Sequence, residues 1–242
     1  MTSLKASPVF LVLSAPSGAG KTTVCQHLLA ANPNLTRAIT CTTRNPRPDE
    51  RDGVDYYFLD AASFLKRLQA GNFLEHATVY GNSYGTLKSE VLSKLRQGKD
   101  VLLTVDVQGA ATIRAQAQQD QELRRALVTV FLTPPSLEVL AERLCKRGTD
   151  SELVRQKRLS VAKQEVAQAK HFDYLIISTT IEQDLGKAQA ILEAERMRLL
   201  RMPPLLFEPT GTGYYGEHPV LAKSSERDMS LPGTTDPQLA PP

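Results

Sequence analysis

Gly18, Gly20, Lys21 and Thr22 lie within Ser14-Ala15-Pro16-Ser17-Gly18-Ala19-Gly20-Lys21-Thr22-Thr23, and their types and spacing describe a device for holding phosphate. Glycines let successive backbone N–H groups turn inward around anionic oxygens, and the positive end of a following helix adds to that field. The lysine would reach the β- and γ-phosphates of a triphosphate, and the Thr22 hydroxyl would enter the shell of a Mg²⁺ ion. One position departs from the general pattern G-x-x-x-x-G-K-[ST]: Ala15 stands where its first glycine belongs. Alanine at positive φ would be strained, so Ala15 is expected in an ordinary backbone region.

A second group of chemistry-bearing residues follows in Thr42-Thr43-Arg44-Asn45-Pro46-Arg47-Pro48-Asp49-Glu50-Arg51-Asp52-Gly53. Two prolines and a terminal Asp-Gly make this a loop that holds basic side chains apart. Between residues 143 and 158 a third group, Arg143, Arg147, Arg155, Lys157 and Arg158, flanks Gly148. Arginines around a glycine hinge suggest a mobile lid; taken alone, the segment reads better as a solvated charged helix face.

The elements that must position these residues follow from periodicity. Pro8–Leu13 is an apolar strand leading into the phosphate loop, and the helix after the loop ends at Asn32-Pro33. Residues 35–43 read as a short strand, 54–59 as another and 62–70 as an amphipathic helix. A strand over 72–80 ends in a Gly81-Asn82-Ser83-Tyr84-Gly85 turn. Segment 37–86 is therefore a small strand-rich insertion. Apolar runs resume at 101–106, 127–132 and 174–178, separated by helices that include Ser136–Lys146, a pattern that indicates a parallel sheet covered on both faces. Thr149 and Glu152 have capping-box spacing for a further helix, and 182–201 reads as a last helix. Eight of the fifteen prolines fall in 203–242, which predicts a disordered tail.

Composition narrows the class. At 242 residues the chain can bury one good core with inserted lobes. Its net charge of +3 gives no argument for a nucleic-acid partner. Cys25, Cys41 and Cys145 are scattered and odd in number, which fits neither a disulfide framework nor a metal site and makes a reduced cytoplasm the expected location. No apolar run approaches membrane-spanning length, so no membrane partner is expected.

Taken in order, six motifs give the chain a specific resemblance to the guanylate kinase family over about residues 8–200. They are Ser14 to Lys21, Thr42 to Arg47, Gly53 to Phe58, Tyr84-Gly85-Thr86, Asp106-Val107-Gln108-Gly109 and Arg147 to Asp150. The resemblance implies an α/β P-loop NTPase fold: a three-layer α/β/α parallel core, a GMP-binding insertion and a helical lid. The implied boundaries are core 8–36, 87–146 and 165–202, insertion 37–86, lid 147–164 and tail 203–242, with the kinase domain spanning 1–202. It implies transfer of the γ-phosphoryl of ATP to GMP with Mg²⁺ as cofactor. Ala15, Pro16, Ser17, Gly18, Ala19, Gly20, Lys21, Thr22 and Thr23 would bind ATP, while Lys21, Arg143, Arg147 and Arg158 would act on the transferring group.

On the acceptor side it implies that Arg44, Arg47 and Tyr56 hold the GMP phosphate, with Glu50 orienting an arginine. Thr40, Glu75, Tyr84, Thr86 and Asp106 would form the guanine pocket. Guanine offers donors at N1 and N2 and an acceptor at O6, matching a carboxylate and two hydroxyls. Adenine reverses that pattern at N1 and position 6, and such mismatches can reject a substrate by about 10⁴–10⁵. Thr22 would contact Mg²⁺ directly; Asp106 is expected near guanine, with a water-mediated metal contact as a second role.

This chain departs from the family at Ser178-Thr179-Thr180, where many relatives carry Asn-Asp-Asp near the ATP adenine, and at Thr104 and Arg155. Two other readings remain: a non-catalytic guanylate-kinase-like protein-binding module, and a nucleoside-monophosphate kinase for a different base. The intact Gly20-Lys21-Thr22 speaks against the module.

Overall fold

The computed structural model describes residues 6–146 and 152–202, with the side chains of residues 146, 152–155 and 157 also left aside. Arg147, Thr149 and the 203–242 tail lie outside the described residues.

The core is a five-stranded parallel sheet. Its strands are β1 (Phe10–Ser14), β2 (Leu35–Arg37), β7 (Asp100–Val105), β8 (Leu127–Thr133) and β9 (Tyr174–Ile177), in the order β2-β7-β1-β8-β9. Every residue of β1 is buried, because helices cover both faces of a parallel sheet. One face packs Leu11, Leu13, Val128 and Val130 against Val24, Cys25 and Leu28 of α1 (Lys21–Ala31) and Ala188 and Leu192 of α8 (Ile181–Arg196). The other packs Phe10, Val12, Val101 and Leu103 against α3 (Lys88–Arg96), α4 (Val107–Gln119) and α5 (Gln121–Ala126). Helix α6 (Leu137–Lys146) meets α7 (Glu152–Ala167) through Leu140, Leu144 and Ala162.

A second sheet is formed by β3 (Cys41–Thr42), β4 (Tyr57–Phe58), β5 (Phe73–Val79) and β6 (Asn82–Leu87), ordered β4-β3-β6-β5, with α2 (Ala61–Gln69) packed on it through Phe64 and Phe73. It occupies the stretch expected to be an insertion.

The structure corrects several boundaries. Residues 35–43 are two strands: β2 joins the core sheet while β3 joins the small one, and the change of sheet falls at 38–40. Glu90 fixes that crossing. Its carboxylate, 8% exposed, accepts from the Ile39 N–H at 2.9 Å and the Tyr57 hydroxyl at 3.0 Å, and pairs with Lys94. The strand expected over 54–59 shrinks to Tyr57–Phe58, because Gly53 at φ +71° and the Asp55 side chain, accepting from the Arg51 N–H at 2.8 Å, close a turn first. The turn expected over 81–85 is confined to Tyr80 and Gly81, both at positive φ (49° and 79°), as a tight hairpin requires. Tyr84 and Gly85 therefore lie in strand β6, paired with Ala77 and His76. Helix α3 was not read from the sequence, and the last helix ends at Arg196, with a 3₁₀ turn over Leu199–Arg201.

That turn carries a buried ion pair. Arg201 and Glu195 are each 1% exposed and hydrogen-bonded, and Arg201 also donates to the carbonyls of Glu195 and Ala126 at 3.0 and 3.2 Å. Removing one partner strands a buried charge. Arg201→Ala is expected to lower unfolding free energy by about 3 kcal/mol or more in a denaturant titration. Replacing both residues by leucine should cost clearly less.

Candidate active site

The phosphate loop takes its shape from two glycines. Gly18 and Gly20 have φ of +91° and +96°, where a side chain would be strained, and Gly20 serves as the N-cap of α1. Ala15 has no positive φ, so the departure from the general motif carries no strain. The Ala19 N–H closes the loop on the Pro16 carbonyl at 3.1 Å.

Parallel register brings the other chemistry to this loop. Ser14 of β1 is level with Val105 of β7, so both strands end at the same edge, with the loop following one and Asp106 the other. Lys21 Nζ donates to the Val105 carbonyl at 3.3 Å across that edge. Asp106 caps α4, accepting from the Gly109 N–H at 2.7 Å. Glycine suits 109 because space is tight: a Cβ there would stand 3.1 Å from Val105 Cβ and 3.4 Å from Glu75 Oε2.

Two cavities meet at Lys21 and Asp106, which line both. One, of about 310 Å³, is lined by Ala15, Pro16, Ser17, Gly18, Gly20, Thr22, Thr23 and Glu165 besides the shared pair. The other, of about 260 Å³, is bordered by Thr40, Tyr56, Glu75 and Tyr84, together with Arg37, Asp55 and Thr104. Six of the residues predicted for chemistry or acceptor binding are thereby collected around one space: Lys21, Thr40, Tyr56, Glu75, Tyr84 and Asp106.

The remaining predicted residues stand outside that lining. Thr86 is fully buried and acts through Glu75, donating its hydroxyl at 2.7 Å; β5 and β6 set the two side by side. Arg44 is held by both Glu50 oxygens at 2.8 Å, and its guanidinium lies 5.6 Å from the Tyr56 ring centre. The Arg47 N–H donates to the same carboxylate at 2.9 Å. Arg143 belongs to α6, donating to the Ala19 carbonyl at 3.3 Å, Ser178 Oγ at 2.9 Å and the Thr179 carbonyl at 3.4 Å. Ser178 in turn donates to buried Asp184 at 2.6 Å. Arg158 lies on α7, and Arg147 is outside the described residues.

Electrostatics follow from this packing. Burial lowers the Lys21 pKa, against nearby Asp106 and Glu165, which favour its charge. Burial raises that of Glu75, 7% exposed; Asp106 pushes the same way, while the Thr86 hydroxyl opposes it. The Arg47 N–H, followed by Arg44, holds Glu50 below its ordinary value.

Sequence reasoning missed Arg37, Asp55, Thr104 as a lining residue, and Glu165. Arg37 donates to the carbonyls of Val54 and Asp55 at 2.8 and 2.9 Å, a pairing across the sheet change that no local motif encodes. Glu165 sits on a polar helix face, and its sequence neighbourhood gives no signal for it.

A parallel α/β sheet with a glycine loop and lysine at the end of an inner strand defines an α/β phosphate-loop protein, here with a second polar cavity opening beside the loop. The chain belongs to the guanylate kinase family, whose model, described as "Guanylate kinase", matches residues 7–195. A guanylate kinase of Carboxydothermus hydrogenoformans is 42% identical over 194 residues, 80% of this chain and 92% of that protein. One from Coxiella burnetii is 42% identical over 187 residues, covering 77% and 87% respectively. The crystal structure of guanylate kinase from Anaplasma phagocytophilum aligns with a TM-score of 0.63 at 34% identity, over 84% of this chain and 93% of that one.

Thr86→Val tests the pairing in the second cavity. Losing the hydroxyl donor should raise the Glu75 pKa further, visible as an upward-shifted titration of its carboxyl carbon by NMR. Stability should fall by about 1–3 kcal/mol as the carboxylate loses its partner.

Proposed function

We infer that this protein is a phosphotransferase that passes the γ-phosphoryl group of ATP to GMP, giving ADP and GDP. The observation that carries this reading is the meeting of two cavities at Lys21 and Asp106: a phosphate loop on one side, a carboxylate-and-hydroxyl pocket on the other. Two nucleotides whose phosphates point at Lys21 would bring donor and acceptor together without a covalent enzyme intermediate. Catalysis is then positioning plus stabilisation of charge.

On the donor side, backbone N–H groups of the loop after Pro16, which itself has none, and Lys21 take the triphosphate, with Thr22 and Thr23 at the start of α1. The exposed Thr22 hydroxyl shares its cavity with the Asp106 carboxylate, and oxygen donors of this kind suit Mg²⁺. Bound with ATP, that ion would neutralise phosphate charge. Arg143 and Arg158 bring positive charge from α6 and α7, as Arg147 would from between them.

On the acceptor side, Arg44, oriented by Glu50, and Tyr56 receive the GMP phosphate together with Arg47. Glu75 accepts from guanine N1–H and N2–H, while Thr40 and Tyr84 complete the polar lining and Thr86 holds Glu75 from behind. The small sheet forms the acceptor lobe of one kinase domain, and α7 belongs to a lid. Among the described residues no helix is long and apolar enough to cross a membrane.

A coupled assay with ATP, Mg²⁺ and an acceptor panel checks the whole reading. GMP should turn over while AMP and UMP remain near background; equal turnover of AMP would remove Glu75 from its role. Absence of turnover with every acceptor would favour a non-catalytic binding module. Lys21→Ala should abolish transfer with an unchanged circular dichroism spectrum. Glu75 must be ionised to accept both guanine donors, and burial has raised its pKa. The KM for GMP should therefore rise on acidification, beginning above the ordinary carboxylate range, while the KM for ATP changes less.

A further inference from the structure

Glu165 is a carboxylate where a phosphate-binding cavity would be expected to exclude one. It projects from α7 and lines the donor cavity with Ser17, Lys21, Thr22 and Asp106. Its surroundings are divided: burial and the Asp106 charge disfavour the carboxylate, whereas Lys21 and the Ser17 N–H favour it. Among the described residues that line this cavity, one lysine thus faces two acids, Glu165 and Asp106. Arg143 donates to the Ala19 carbonyl of the loop and to Ser178 and Thr179. A bare triphosphate entering this space meets the Glu165 charge directly, at short range and partly removed from water, where screening is weak. A nucleotide that brings a divalent cation carries the charge that offsets both acids.

We propose that Glu165 makes the donor cavity selective for metal-loaded over metal-free nucleotide, repelling the bare triphosphate by a charge that the cation neutralises. This rests on the reading that the donor cavity takes ATP. Glu165 is in this account a specificity-determining residue: it weakens the wrong form of the donor more than it strengthens the right one. A kinase gains from that, because triphosphate bound without its cation would occupy the loop unproductively.

The test is calorimetric titration of the full chain with a non-hydrolysable ATP analogue, once in excess Mg²⁺ and once in EDTA. Glu165→Gln keeps the shape and an amide oxygen for the Ser17 N–H but removes the charge. It is expected to tighten metal-free binding roughly tenfold and to change metal-loaded binding by about twofold or less, contracting the ratio of the two affinities. Glu165→Ala should contract the ratio likewise, and Glu165→Asp should preserve it. Equal tightening of both forms would overturn the proposal, since Glu165 would then be only a resident competitor for the loop. Equal weakening, or an unchanged ratio, would overturn it as a purely structural role. Failure of the wild-type protein to bind the analogue in Mg²⁺ would instead count against the donor-site reading itself.

Discussion

The parallel pairing of β1 with β7 is the constraint on which the site depends. Because Ser14 and Val105 are level, the chain leaves both strands at the same edge, and two segments 85 residues apart, ending in Lys21 and beginning with Asp106, share one space. The sheet is held by burial on both faces, with Leu11 and Leu13 turned to one helical layer and Phe10 and Val12 to the other. A slip of one residue would exchange these sets and separate the lysine from the aspartate. The register is therefore fixed by the core and used by the site.

Around that edge several polar groups are paired before any ligand arrives, while the buried Ser14 hydroxyl has no partner among the described residues. Glu75 has Thr86, Arg44 has Glu50, Arg143 has Ser178, and Asp106 has the Gly109 N–H. Buried or half-buried charges without such partners would cost several kcal/mol each. The same pairings aim the groups: a carboxylate fixed by a neighbouring hydroxyl presents its other oxygen to the cavity, and a guanidinium gripped by a carboxylate keeps its remaining N–H groups in a set direction. Pre-organisation of this kind is what electrostatic catalysis of phosphoryl transfer needs.

Glu90 shows how the core and the small sheet are joined. A single buried carboxylate binds the Ile39 backbone, the Tyr57 hydroxyl and Lys94, and so ties α3 both to the crossing between sheets and to β4. Burial, followed by the hydrogen bond to Glu90, pushes the Tyr57 phenol up to about 12. The acceptor lobe is therefore attached to the core by polar contacts as well as by chain connections.

Much of this was legible in the amino-acid sequence because it is local. Strand, glycine turn, lysine and helix are contiguous, and the continuous apolar runs of β1, β7 and β8 can lie only in a sheet buried on both sides. Thr40, Tyr56, Glu75, Tyr84 and Asp106, which line the second cavity, were legible through a family resemblance carried by short, separated motifs. Tertiary structure alone decided the rest. It divided residues 35–43 between two sheets, because Glu90, some fifty residues away, captures the Ile39 N–H. It brought Arg37 and Asp55 to the second cavity and Glu165 to the cavity at the phosphate loop, since a polar residue on a helix face is indistinguishable from its neighbours until packing sets what that face meets. Local covalent neighbourhood encodes the phosphate loop; which charges confront it is set by the meeting of segments far apart in the chain.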